Sequence, residues 1–346
     1  MPTLSIRTLS PEDQPAVAAW DAFALAHPEA TFFHRAGWLT VLREVFGHEG
    51  HFLYALHDGA VVGILPLAEV RSLLFGHTLV GLPFASYGGV VASEPAARAA
   101  LEAEAVRVAQ ALAVDYLELR NTTRQQDWPV QDLYVAFKMA IPAVLDERML
   151  CIPQKRRNMV RKALKLGLHA APDDTIDNFF PTFAENARDH GTPTLPRSYF
   201  EKLCAVFGSD CGVVSIHDRS GRCVSSIMCF VHRQHVLAYY AGELSEARGM
   251  AANDLKYWEV MKWAQKRGCT VFDIGRSKKG TGSYEFKRLW GFEPVQLHYQ
   301  YALMRNTTVP QKNPLNPRYR LLIKAWQNMP LPVANFLGPM LVRGLG

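Results

Sequence analysis

No C-x-x-C pair occurs in this chain and no histidine stands at zinc-ligand spacing from a cysteine, so the common patterns of a structural metal are missing and no metal is expected. The six cysteines, Cys151, Cys204, Cys211, Cys223, Cys229 and Cys269, read as reduced thiols. Cys223 and Cys229 are six apart and share one strand face, which fits a core role. His48 and His51 have no further ligand near them in sequence and read as surface or half-buried histidines. No apolar run approaches the length of a membrane span. The first twenty residues, with Arg7, Glu12, Asp13 and Gln14, lack the continuous apolar stretch of a signal peptide. The expected compartment is the cytoplasm, with peripheral contact at the inner face of the membrane as the alternative. A G-x-S-x-G elbow is also missing, so no serine or cysteine is marked as a nucleophile.

What is present is a globular composition, 49% hydrophobic and 20% charged, in a chain of 346 residues, which excludes predominant disorder and leaves room for two domains. The richest stretch runs from Ala251 to Pro294. Asn253 and Asp254 suit a helix start, Leu255, Trp258, Val260, Met261 and Ala264 follow near helical spacing, and Gly268 suits the stop. Cys269 to Ile274 reads as a short buried strand, and Gly275 opens a loop carrying Arg276, Lys278, Lys279, Gly280, Gly282, Lys287 and Arg288. Free N–H groups at a helix start and cations on a loop both favour negative charge, so an anionic substrate or oxyanion is expected there. The bland alternative is a solvated turn with Tyr284, Phe286, Trp290 and Phe292 packed beneath it.

The net charge of +6 and a pI near 9.0 are modest, but the distribution is not even. Lys155, Arg156, Arg157, Arg161, Lys162 and Lys165 fall between Gln154 and Leu166 without an acidic residue, and the spacing permits a basic helix. Phosphates suit such a segment, whether those of tRNA, a nucleotide-linked precursor, coenzyme A or anionic lipid headgroups. A merely solvated basic helix is the competing reading.

The order of elements repeats. Phe52 to Leu56 and Ala60 to Val70 form a hairpin around Asp58 and Gly59, followed by a strand near Thr78 to Gly81, a helix near Glu94 to Ala113 and the strand Tyr116 to Arg120. Cys211 to His217 and Cys223 to His232 form a second hairpin around Ser220 and Gly221, followed by strand Val236 to Ala241, helix Asn253 to Arg267 and strand Thr270 to Ile274. Each β-β-β-α-β unit closes on a matching strand end, LELRN or FDIGR, so the fold class is α/β (α+β), two duplicated modules of mixed sheet flanked by helices. The junction falls near Ile141 to Pro153. From Asn306 a tail packs back on the body, with a short helix around Leu321 to Trp326 and an apolar stretch, Leu331 to Val342, broken by Pro332, Gly338 and Pro339.

The segment Gly282, Ser283, Tyr284, Glu285, Phe286, Lys287, Arg288, Leu289, Trp290, Gly291 resembles the C-terminal signature of the Fem-type peptidyltransferases, a Gly-x-Tyr-x-Phe-Lys-x-x-x-Gly run after a helix and a strand ending in an Asp-aromatic-Gly turn. The turn here is Asp273, Ile274, Gly275, with an aliphatic residue in the aromatic place. The chain looks closest to the FemAB-like branch associated with exosortase and PEP-CTERM systems, which carries blocks like Thr31 to Trp38, Pro83 to Gly89 and Asn313 to Pro317. This resemblance implies the Gcn5-related N-acetyltransferase (GNAT) fold used twice, as domains 1–142 and 143–305 with the tail 306–346, and a cleft at a strand splay or between domains.

It also implies amide formation on an amine of a cell-envelope or exopolysaccharide-related precursor, by direct attack on an aminoacyl ester without a covalent enzyme intermediate. Such a reaction needs positioning, removal of a proton from the amine and oxyanion stabilisation. Lys287 matches the signature lysine and is the first functional candidate, set against a surface lysine whose stem covers Trp290. Phe286 would shape the same pocket. Arg276, Ser277 and Lys278 follow the strand end and can hold phosphate or carboxylate, and Gly282 and Asn253 border that region. Asp273 at the strand end orients a base or cation, or serves as a cap or as a salt-bridge partner of Arg276. Tyr284 and Glu285 are alternative proton acceptors, of which an extended segment would turn only one toward a cleft. In the first module, Phe84, Ser86, Tyr87, Gly88 and Gly89 form a turn whose small residues admit an acceptor. Arg188, Arg197 and Tyr199 lie where Fem-type enzymes contribute basic and aromatic substrate contacts. No cofactor is expected to be bound permanently, and the donor is aminoacyl-tRNA or acyl-CoA, with tRNA meeting Lys155 to Lys165. The chain departs from the family in having no long helical arm. The acetyl-CoA pyrophosphate loop, Gln or Arg followed by x-x-Gly-x-Gly or Ala, is also missing: Arg248, Gly249, Met250, Ala251 and Ala252 stand in its place with the wrong glycine spacing. A noncatalytic anion-, RNA- or membrane-docking protein is the reading from a different class.

Overall fold

A computed structural model describes residues 4–73, 75–309 and 317–345, so the block from Asn313 to Pro317 falls, but for its last residue, outside the described residues. The chain divides into two compact units. The first runs to Tyr134 and takes in the segment beginning at Gln296 and the residues from Arg343; the second runs from Val135 to Val295 and takes in the C-terminal helices up to Val342. The division therefore differs from a simple cut near 142, for a reason that lies in the strand order.

The first unit is built from β1 (Leu4–Thr8), α1 (Gln14–Ala26), α2 (Gly37–Phe46), β2 (Glu49–Gly50), β3 (Leu53–His57), β4 (Ala60–Leu65), β5 (Leu67–Ser72), β6 (Gly76–Gly81), β7 (Val91–Ala92), α3 (Pro95–Ala111), β8 (Tyr116–Asn121) and β9 (Val130–Gln131). The β3–β4 hairpin turns on Asp58 and Gly59, both left-handed at φ 49° and 83°, the geometry that lets a two-residue loop follow the strand twist. The single strand expected over Ala60 to Val70 is cut at Pro66, which has no N–H to donate to a ladder. β4 pairs with β3 in a four-stranded sheet, while β5 pairs with β6 in a six-stranded one. Ala97, Leu101, Ala105 and Ala109, four apart along α3, bury one face of that helix against Leu53, Leu65, Leu79 and Leu117.

The second unit contains β10 (Tyr134–Ala140), α4 (Gln154–Lys165), β11 (His169–Pro172), α5 (Ile176–Asp189), α6 (Arg197–Phe207), β12 (Cys211–His217), β13 (Cys223–His232), β14 (His235–Glu243), α7 (Ala252–Lys266), β15 (Val271–Lys278), α8 (Gly282–Leu289), β16 (Glu293–Gln296), α9 (Pro317–Gln327) and α10 (Leu331–Val342). Its seven-stranded sheet has the order β11-β12-β13-β14-β15-β10-β16. The last strand, β17 (His298–Leu303), returns to the first unit and sits between β8 and β9. The two units thus exchange strands along the chain: β10 follows first-unit strands in sequence but joins the second sheet, and β17 does the reverse.

Three local expectations change. Gly282 to Leu289 is a helix rather than a loop, because Thr281 caps it by accepting from the Tyr284 N–H at 3.3 Å. The preceding strand runs on to Lys278 instead of stopping at Ile274. Leu331 to Val342 is one helix despite its prolines: Pro332 falls in the first turn, where a missing N–H leaves no bond unmade, and Ala334, Gly338 and Val342 line a buried face. Among the described residues no helix is long and apolar enough to cross a membrane.

Candidate functional site

In the second unit β14 and β15 run parallel but pair only at His235–Val271, Val236–Phe272 and Leu237–Asp273. Beyond that point they part, β14 continuing to Glu243 and β15 to Lys278. The ladder between β13 and β14 shifts register at Met228 and Cys229, which leaves Tyr239 as the extra residue of a bulge and bends β14 at the splay. A wedge is left whose walls are the ends of two strands, with α7 and α8 following them.

Asp273 is the last residue of β15 paired with β14 and is buried. Its Oδ1 accepts from the Gly275 N–H at 2.7 Å, and its Oδ2 lies 3.6 Å from Lys138 Nζ. Lys287 projects from α8 back under the strand end. Its buried ammonium donates to the carbonyls of Ile274 (2.6 Å), Gly275 (3.4 Å) and Arg276 (3.1 Å) and lies over the Phe137 ring. Burial pulls its pKa down to about 8, opposed by the charge of Asp273. Lys287 is thus a buried clamp on three successive carbonyls of β15 and does not reach solvent as a surface lysine would.

The other signature residues separate once Gly282 to Leu289 is helical. Tyr284 is half-buried against Phe137, with ring centroids 5.3 Å apart, and Glu285 is exposed and paired with Arg288 at 3.0 Å. Phe286 packs on Tyr257 and under the Arg156 guanidinium, 5.4 Å from its ring, so it faces the core. Ser277 Oγ bonds Ser283 Oγ at 3.0 Å, tying β15 to α8, and Gly282 opens the helix, exposed.

The start of α7 completes the wedge. Ala251, at φ 61°, precedes the helix, so Asn253 and Asp254 lie inside its first turn and do not cap it. Glu243, at the end of β14, takes the capping role: its carboxylate accepts from the Asn253 N–H at 3.2 Å and from Asn253 Nδ2 at 2.9 Å. Burial raises the Glu243 pKa, offset chiefly by Lys256. Lys256 is fully buried one turn on, donating to Ser225 Oγ (2.9 Å) and the Gly242 carbonyl (3.0 Å), and burial takes its pKa down to about 8. Asp254 accepts from Arg156 at 3.1 Å and from Trp290 Nε1 at 2.9 Å, which fastens α7 to the basic helix and to the end of α8. Glu243, Lys256, Lys138 and the Arg156–Asp254 pair carry no motif that marks them as a site in the sequence. The one available signal is that Glu243 ends the strand before the helix start.

In α4, Arg156 is buried, whereas Lys155, Arg161, Lys162 and Lys165 are exposed. Arg188 is held by Asp189 at 2.8 Å. Arg197 pairs with Asp177 and Glu201 on the surface. Tyr199 is fully buried in an aromatic cluster, its hydroxyl 2.7 Å from that of Tyr240.

The equivalent splay in the first unit is closed. β6 and β8 pair only from Thr78–Tyr116 to Val80–Glu118, and the chain from Leu82 to Gly89 then folds into the gap, bridging Gly88 to Arg120. Arg120 donates to the carbonyls of Leu82 (3.0 Å) and Ala85 (2.8 Å). A Cβ on Gly81 would lie 2.0 Å from the Gly88 carbonyl oxygen, and one on Gly88 2.1 Å from that of Gly81. The small residues here let chain approach chain, and Ser86 and Tyr87 are buried. Two sequence blocks meet in this plug, where His34 Nε2 lies 3.1 Å from the Gly89 carbonyl oxygen.

Residues 154–288 match the family model of the acetyltransferase (GNAT) domain. The chain is 24% identical over 126 residues to the UDP-N-acetylmuramoylpentapeptide-lysine N(6)-alanyltransferase of Weissella viridescens, an alignment spanning 36% of this chain and 37% of that one. It therefore covers little more than a third of that relative's length. The fold is similar to the crystal structure of FemX, with TM-score 0.64 and 14% identity over 87% of this chain and 98% of the other. It is also similar to a tandem GNAT protein from the clavulanic acid biosynthesis pathway, with TM-score 0.56 and 13% identity over 88% and 100%. The fold is a FemAB-like, tandem GNAT-like arrangement of mixed sheets flanked by helices.

Proposed function

We propose that this chain is an acyltransferase that moves an aminoacyl group from an aminoacyl-tRNA ester to an amine of a cell-envelope or exopolysaccharide-related precursor in the cytoplasm, within the exosortase and PEP-CTERM-associated Fem-type branch. The GNAT domain match and the alanyltransferase relative support an acyltransferase. The observation that carries the choice of donor is Glu243. A coenzyme A pyrophosphate placed at the start of α7 would need the N–H groups there, and Glu243 already accepts from Asn253 while lacking the charge a phosphate seeks. The exposed cations of α4, by contrast, suit the phosphates of a polynucleotide donor.

In the proposed reaction the amine nitrogen attacks the ester carbonyl. The C–N bond forms as the C–O bond to the ribose breaks, the amine gives up a proton and the ribose oxygen gains one. Asp273, Tyr284 and Glu285 remain the candidate proton acceptors, Asp273 being the one at the point where the strands part. Lys287 acts as a positioning residue that holds the β15 carbonyls. Arg276, Ser277 and Lys278 form the wall nearest the donor. Arg188, Tyr199, Ser86 and Tyr87 would act by supporting the fold around substrate, given their pairing or burial.

One feature favours acyl-CoA instead: β14 and β15 part after Leu237–Asp273, and a splay between parallel strands suits an extended thioester arm. Donor choice decides between them. Purified protein offered charged tRNA or acyl-CoA, with amino-sugar and peptide amines as acceptors, is expected to deacylate the tRNA in an acceptor-dependent way and to leave acyl-CoA intact. Lys287→Ala is expected to slow that turnover at least tenfold. Acceptor-dependent consumption of acyl-CoA at a comparable rate would overturn the donor assignment, and consumption of neither would overturn the enzyme reading.

A further inference from the structure

We infer that the first unit carries a binding site for a divalent transition-metal ion, of which zinc is the best match, formed by Glu49, His51 and Glu69. Glu49 and Glu69 stand directly opposite each other on β2 and β5, a pairing of like charges that Arg71 and His77 relieve at Glu69 Oε1 only. One ligand atom from each of Glu49, His51 and Glu69 lies within 4.8 Å of the others. His51 Nε2 is buried, makes no hydrogen bond and lies 3.9 Å from Glu69 Oε2.

The far side of Glu69 is already held. Its Oε1 accepts from Arg71 Nε at 2.6 Å and bonds His77 Nε2, which leaves Oε2 turned toward His51. Outer partners of this kind fix a carboxylate ligand in orientation. The His51 N–H donates to the Leu67 carbonyl at 2.8 Å, so the backbone carrying the imidazole is anchored to β5 as well. A tetrahedral ion with bonds of about 2.0–2.2 Å holds its ligand atoms roughly 3.4 Å apart. His51 and Glu69 are near that spacing, and the exposed Glu49 side chain has the freedom to close on them. An imidazole with two carboxylates suits zinc better than the all-oxygen preference of magnesium or calcium. The fourth position is left to water, and the ion would tie the edge strand β2 to the sheet.

The test uses the full chain after chelator treatment. Titration calorimetry with zinc is expected to give one equivalent, zinc is expected to raise the melting temperature, and cobalt substituted for zinc is expected to give the intense visible bands of a tetrahedral site. Glu49→Gln, exposed and tolerant, is expected to weaken zinc binding by at least about tenfold and to abolish the melting shift. His51→Ala is expected to do the same. The thiols Cys204 and Cys211, 3.6 Å apart, are a pair of soft ligands that could also attract zinc, so Cys204→Ser with Cys211→Ser serves as the control and is expected to bind as the parent does. No uptake under zinc excess, equal affinity in Glu49→Gln and the parent, or loss of binding in the cysteine control would each overturn the assignment.

Discussion

Lys287 places one ammonium on three carbonyls, and its pKa of about 8 says that the fold holds its charge at a cost. Because the folded value lies below the ordinary 10.5, the unfolded chain binds the proton more tightly between those two pH values. The cost is full below pH 8 and fades as pH rises to 10.5. Lys287→Met has no such proton, so its stability minus that of the parent should fall by about 3 kcal/mol over that window. Urea unfolding of both proteins at pH 7 and pH 10 measures this, and a difference that does not change with pH would show that the lysine carries no depressed pKa. A second residue-scale outcome concerns Asp254. Asp254→Ala leaves the Arg156 guanidinium buried without its carboxylate and should cost about 3–5 kcal/mol in equilibrium unfolding. Sequence marks Lys287 by its place in a motif but not its burial, which depends on a carbonyl array that only the folded strand end provides.

At the scale of elements, β14 is set by its contacts on both faces. Gly242 lets α5 approach so closely that an added Cβ would meet Thr182 C at 2.3 Å and Phe183 N at 2.4 Å. Backbone cannot yield as a side chain tip can, so Gly242→Ala should destabilise the protein by about 2–3 kcal/mol in urea unfolding. A loss below roughly 0.5 kcal/mol would mean that α5 moves freely on the sheet. Alternation and turn residues make the hairpins legible, as Asp58–Gly59 does. The helix Gly282–Leu289 is not legible, because a glycine- and lysine-rich run reads as loop until Thr281 is seen to cap it. Pro66 is legible in principle as a strand breaker, but not the change of sheet it permits.

For the whole molecule, duplication of a β-β-β-α-β plan can be read from the order of elements, and the plug that fills the splay in the first copy, without a counterpart loop in the β14–β15 splay among the described residues, cannot. That contrast rests on Leu82 to Gly89 folding back over the strand ends, a tertiary event that spacing does not report. If α4 meets the phosphates of a tRNA, binding should weaken steeply with salt. Neutralising Lys155, Arg161 and Lys165 together to Gln should reduce the slope of log affinity against log salt by about 1 for each phosphate no longer neutralised, read by filter binding across a salt series. An unchanged slope would remove α4 from the donor site.

The exchange of β10 and β17 has a consequence for synthesis. A nascent chain normally folds its N-terminal domain first. Here the first unit has no strand to place between β8 and β9 until the residues of β17 emerge, after those of the whole second sheet. At ordinary translation speeds this wait is on the order of ten seconds. The flank of β8 stays open for pairing through that interval, and because only Leu297 separates β16 from β17, the two sheets receive their last strands almost together, at its end.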